Sequence, residues 1–104
     1  MGAKTIKLST PLAWVNGGSV TEIKLREPTG QLFIDLGEPR VIVSNKAGSI
    51  VWAEIPETIK AYLDRCIDHE GGGALLAQMS LSDARKVKEA LVSFFHAAPA
   101  EPTE

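Results

Sequence analysis

Apolar residues near the start of this chain return at every second position. Ile6, Leu8, Thr10, Leu12 and Trp14 share one parity and Lys7, Ser9, Pro11 and Ala13 the other, the period of a strand with one face toward a core. Asn16-Gly17-Gly18 follows, residue types that accept positive φ in a tight turn, and Thr21, Ile23 and Leu25 resume the alternation. The pattern predicts an N-terminal β-hairpin. A two-residue loop at Asn16-Gly17 sets Leu8 opposite Leu25, Thr10 opposite Ile23 and Leu12 opposite Thr21, whereas a loop at Gly17-Gly18 sets Leu12 opposite Ile23. Both registers put the apolar sets on one face. Pro11 has no N–H for a ladder, which assigns its strand to an edge or a small sheet.

Pro28 ends the second strand. Thr29 is placed to cap a short helix carrying Leu32, Phe33 and Leu36, and Gly37 and Pro39 stop it. Leu32 and Phe33 are expected to fold back over the hairpin's apolar face, with Arg26 and Glu27 paired locally. Val41-Ile42-Val43, then Asn45-Lys46-Ala47-Gly48, then Ile50-Val51-Trp52 read as a second hairpin with Gly48 in the left-handed position. From Pro56 the period changes: Ile59, Tyr62, Leu63, Cys66 and Ile67 form a helical stripe, with Glu57, Lys60, Asp64 and Asp68 off it. Gly71-Gly72-Gly73 ends this helix as a flexible joint, and Leu75, Leu76 and Met79 predict a short helical turn. Ser80 or Ser82 then caps a last helix with Leu81, Ala84, Val87, Leu91, Phe94 and Phe95 inward and Asp83, Arg85, Lys86 and Glu89 outward. The fold class is α+β: an N-terminal β-hairpin, a short helix, a second hairpin, then two to three C-terminal helices. A single domain is expected over residues 1–96, and the small, proline-rich, acidic stretch 97–104 reads as a disordered tail.

Composition narrows the function classes. The 104 residues hold 11 Lys plus Arg against 13 Asp plus Glu, a balance that disfavours a phosphate-tracking surface. The single cysteine, Cys66, has no internal disulfide partner, the first residues lack a secretory pattern, and no apolar run approaches the roughly 20 residues of a membrane span, so a cytoplasmic protein is expected. His69 between Asp68 and Glu70 suggests a metal or base site at first sight, but the other histidine, His96, lies a helix away; a helix-end histidine beside the negative dipole accounts for it. Cys66 sits on the buried stripe with no activating base placed for it. The glycine run lacks the Lys-Ser/Thr of a phosphate loop. Arg85, Lys86 and Lys88 are interrupted by Asp83 and Glu89, as on a solvated helix face. No catalytic residue, metal or cofactor is expected, and the chain reads as a binder and not an enzyme.

The order of its segments resembles the small tail assembly chaperones of long-tailed bacteriophages and prophages. The resemblance is carried by IKLSTPL (6–12), VTEIKLREPTGQLF (20–33), GEP (37–39), YLDRCI (62–67) and LSDARKVKEALVSFF (81–95), and covers nearly the whole chain, which is short in the family's central helical part. It implies a non-enzymatic protein of the host cytoplasm, absent from the mature virion, that binds and solubilises the tape measure protein and helps recruit tail tube subunits. Some members of the family are also made in a longer, frameshifted form.

The physical case for such a role is separate. A tape measure is a long chain with apolar helical stripes that aggregate until the tube encloses them, and a small α+β domain can take an amphipathic helix in a groove. Phe33, Trp52 and Phe95 are the candidate partner-binding residues, since aromatics carry disproportionate interface energy; the same three rings would equally serve as core. Self-association is compatible with the apolar load of the last helix. The alternative function is a small cytoplasmic adaptor or DNA-binding regulatory protein using the Arg85 to Lys88 face.

Overall fold

Strands β1 (Lys4–Ala13) and β2 (Ser19–Leu25) form the first antiparallel hairpin in the computed structural model, which describes residues 3–96. The tail expected at 97–104 lies outside the described residues. Neither expected register is found. Lys4 pairs with Leu25, Ile6 with Ile23 and Lys7 with Glu22; then, past an irregularity, Leu12 pairs with Val20 and Ala13 with Ser19. The stretch 8–11 leaves the ladder because Pro11 has no N–H to give and because Ser9 and Thr10 direct theirs to the carboxylate of Asp83. The connection is also wider than two residues: a 3₁₀ turn at Val15–Gly17, closed by the Trp14 N–H donating to the Gly18 carbonyl at 2.9 Å. The bulge moves the apolar face, so Ile6, Leu12, Val20, Ile23 and Leu25 are buried while Thr10 and Thr21 are exposed.

Asp83 is the second correction. Expected on the outer face of α3 (Leu81–His96), it is fully buried. Its carboxylate accepts from the Ser9 N–H at 3.0 and 3.1 Å, from the Ser9 hydroxyl at 3.0 Å and from the Thr10 N–H at 3.4 Å, with the Lys86 ammonium at 3.3 Å. A buried carboxylate is tolerated only with such partners. The Ser9 backbone N–H, more than any other group, holds its carboxyl down to about 2 against the opposing pull of desolvation. Asp83 thus satisfies the N–H groups freed by the bulge and ties β1 to the first turn of α3.

Helix α2 (Pro56–Cys66) buries the predicted stripe Ile59, Tyr62, Leu63 and Cys66, with Pro56 in its first turn and Glu57 near its positive end. It stops at Cys66, because Ile67 turns extended and bridges to Leu25, while the Arg26 N–H donates to the Cys66 carbonyl and the Asp68 N–H to the Lys24 carbonyl. Arg26 therefore pairs with Asp68 at 3.0 Å, and not with Glu27. The glycine run is packed, not a loose joint. A Cβ on Gly71 would lie 2.6 Å from the Trp14 ring, the Gly73 N–H donates to Asp64 Oδ1 at 3.1 Å, and a 3₁₀ helix at Gly72–Gln78 follows with Leu75 buried.

Ser80 caps α3, accepting from the Asp83 N–H at 3.2 Å. Val87 and Leu91 are buried as expected, joined by Val92, whereas Leu81, expected inward, is 74% exposed at the start of the helix. Helix α1 (Gly30–Leu36) begins at Thr29, whose Oγ1 accepts from the Leu32 N–H at 3.1 Å, and ends where the Gly37 N–H donates to the Phe33 carbonyl. It lies against α2, with Leu32 and Leu36 packed on the core cluster to which the first hairpin contributes, and Phe33 beside Phe95. The fold is α+β, with one core between the first hairpin, α2, the 3₁₀ helix and α3. Among the described residues no helix is long and apolar enough to cross a membrane.

Candidate partner-binding surface

The second hairpin, β3 (Arg40–Ser44) with β4 (Ile50–Glu54), is made by two β-branched runs around a turn that Asn45 organises. Asn45 Oδ1 accepts from the Ala47 and Ser49 N–H groups at 2.9 and 3.0 Å, and the Gly48 N–H donates to the Asn45 carbonyl. Gly48 stands at φ +86°, the left-handed position predicted for it. The pairing Val41↔Ala53, Ile42↔Trp52, Val43↔Val51 and Ser44↔Ile50 is uninterrupted.

Opposite residues share a face, so Val41, Val43, Val51 and Ala53 line one side and Ile42, Trp52 and Ile50 the other. Both sides are apolar, and both are open. Val41, Ile42, Val43, Ile50, Val51 and Trp52 are each 40–70% exposed, and no residue of the hairpin belongs to the core cluster. Continuous apolar strands of this kind are the pattern of a sheet covered on both faces, and here neither face is covered among the described residues. The hairpin is anchored at its foot, where the Ile55 N–H donates to the Pro39 carbonyl at 2.8 Å and Lys88 of α3 reaches Glu54 at 2.8 Å. Glu54 pulls the Lys88 ammonium pKa upward.

The three expected aromatic residues divide between two places. Trp52 is on the hairpin, with the Arg40 guanidinium 4.0 Å above its ring. Phe33 and Phe95 meet elsewhere, both half-buried, with ring centroids 6.3 Å apart; Phe95 also packs edge-on against Tyr62 at 5.1 Å. Together with Pro28 and Phe94 they line a shallow cleft of about 260 Å³. The structure therefore does not gather the three rings into one groove. Ile42, Ile50 and the hairpin valines were not singled out as partner-binding residues, although the unalternating runs VIV and IVW were the signal for them.

The residues weighed for chemistry have structural surroundings. Cys66 is buried, and desolvation pushes its thiol pKa up against the lowering influence of Arg26. His69 lies beyond the end of α2, its Nδ1 accepting from the Gly71 N–H at 2.9 Å and its ring edge-on to Trp14 at 4.6 Å. No cluster of three or more metal-ligating side chains occurs among the described residues. Of the basic face on α3, Lys86 donates to the Lys7 carbonyl and pairs with Asp83, and Lys88 pairs with Glu54 and Glu89.

No protein-family model matches the chain, and no curated protein or solved structure is significantly similar to it.

Proposed function

We propose that this chain is a tail assembly chaperone of a long-tailed phage or prophage, a non-enzymatic binder that shields the tape measure protein in the host cytoplasm and is released before the tail is complete. One observation carries the reading: a hairpin built from core-type residues stands on a folded domain with both faces open. Exposed apolar patches of that kind mark protein-interaction surfaces. A segment with an apolar stripe can lie on either face, and a two-sided hairpin with no deep cavity suits modest affinity per copy, with many copies along one long client. Recruitment of tail tube subunits belongs to the same proposal. The adaptor or DNA-binding alternative draws less support, because Lys86 and Lys88 are engaged by neighbouring carboxylates.

Co-expression tests it. A tape measure fragment should be soluble with the wild-type chain and aggregate alone or with Trp52→Glu, a substitution at an exposed position that leaves the core intact. Equal solubility of the fragment in all three cases would end the proposal.

A further inference from the structure

The indole of Trp14 rests on three consecutive residues, and the first of them is a histidine that holds the other two in place. We propose that His69 is a pH-sensitive clamp: neutral, it fixes the turn of the first hairpin against the segment that follows α2, and on gaining a proton it lets that turn go. This goes beyond the assembly reading and does not depend on it.

Each of the three residues meets a different part of the indole. The His69 imidazole stands edge-on to it with ring centroids 4.6 Å apart, Glu70 Oε2 accepts from its Nε1–H at 2.9 Å, and Gly71 packs so closely on its six-membered ring that a Cβ there would lie 2.6 Å from Cη2. The Trp14 N–H donates to the Gly18 carbonyl, so the indole and the hairpin turn are fixed together. Gly71 is itself placed by His69. Its N–H donates to His69 Nδ1 at 2.9 Å, and the Gly72 N–H donates to the His69 carbonyl at 2.9 Å. Accepting the first of these bonds takes a lone pair on Nδ1, which the neutral imidazole has and the imidazolium lacks, since both of its nitrogens are donors. A second proton therefore sets N–H against N–H in a partly buried place, where an unpaired donor is costly.

The charged ring has an alternative position. Beside it lies a cleft of about 280 Å³ whose lining includes Glu22 and Lys24 of β2, Asp68 and His69 itself. Glu22 faces the ring from β2, Asp68 and Glu70 flank it along the chain, and Lys24 opposes them, while Arg26 pairs with Asp68 at 3.0 Å. On α2, Asp64 is occupied by the Gly73 N–H at 3.1 Å, and the 3₁₀ helix at Gly72–Gln78 brings no ionisable side chain. Carboxylates outnumber cations around the ring, so an imidazolium that leaves Gly71 finds acceptors in the cleft. The sign follows from the bond: the clamp is complete while the imidazole is neutral and is lost as the pH falls through the range of about 5 to 8 in which histidines change charge. The acid limb set by Asp83 is separate, because it runs from about 4 downward.

The test uses the full chain by itself, with no tape measure fragment present, so its outcome is separate from that of the co-expression experiment. In a Trp52→Phe background Trp14 is the remaining tryptophan, and its fluorescence reads the clamp. From about pH 8 to about pH 5 the emission should shift to longer wavelength and acrylamide quenching should rise, in one transition, with far-UV circular dichroism unchanged. His69→Asn should keep the high-pH emission throughout, because an asparagine oxygen accepts from the N–H two residues on and does not titrate. His69→Ala, without an acceptor, should show the low-pH emission at every pH, and His96→Asn should leave the transition in place. Absence of the transition, its survival in His69→Asn, its loss in His96→Asn, high-pH emission from His69→Ala, or a coincident loss of far-UV signal would each overturn the proposal.

Discussion

Two hairpins of this molecule begin from comparable residues and reach opposite ends. The first alternates apolar with polar, buries one face against α2 and α3, and gives up four positions of its ladder to a bulge filled by Asp83. The second is apolar without alternation, keeps a regular ladder, and buries neither face. Regular pairing is therefore a poor guide to which hairpin the fold relies on. What decides it is how many elements cover the strands: β1 and β2 are gripped by α3, the bridge at Ile67 and the Asp83 carboxylate, while β3 and β4 are held at one end by Pro39 and Lys88.

That contrast can be broken in a graded way. Ile23→Ala, in the first hairpin, should lower stability by about 2–5 kcal/mol through the cavity it leaves, read as a shifted urea midpoint. Asp83→Asn comes next and should also change the pH profile. The Asp83 carboxyl is depressed from its ordinary value of 3.8 to about 2, so its contribution is complete above the unfolded value and is lost as the pH falls from about 4 toward 2. The wild-type chain should lose stability over that window and the variant should show a shallower acid limb; parallel acid limbs would contradict the role given to Ser9. Tyr62→Phe removes a hydroxyl donating to the Gly37 carbonyl at 2.6 Å and should cost about 1 kcal/mol. Ile42→Ala and Trp52→Ser, in the second hairpin, should stay within about 0.5 kcal/mol of wild type in the isolated monomer. A midpoint shift at Ile42 as large as that at Ile23 would mean the two hairpins are equally embedded.

The sequence was informative wherever one periodicity dominated. The stripe from Ile59 to Cys66 is buried as its spacing predicts, the Thr29 and Ser80 caps bond as capping residues do, and Gly48 takes the left-handed turn position. Errors arose where a polar group had a distant partner. Asp83 looks like a surface residue of α3 by spacing, and Ser9 and Thr10 look like ordinary strand residues; only their meeting, more than seventy positions apart, explains the burial of one and the bulge of the others. Arg26 likewise finds Asp68 and not its neighbour Glu27. The three candidate rings, chosen by residue type, do not lie together. Trp52 is exposed on the hairpin, while Phe33 and Phe95 pack with each other and Tyr62.

Local pattern by itself determined the α+β class, the order of the elements, the second hairpin and its turn, because spacing, caps and turn chemistry act over a few residues. Tertiary structure alone decided the register of the first hairpin, the burial of Asp83 and the nakedness of the second hairpin. Each depends on which surfaces meet in space, and an apolar run has the same letters whether a layer of protein covers it or not.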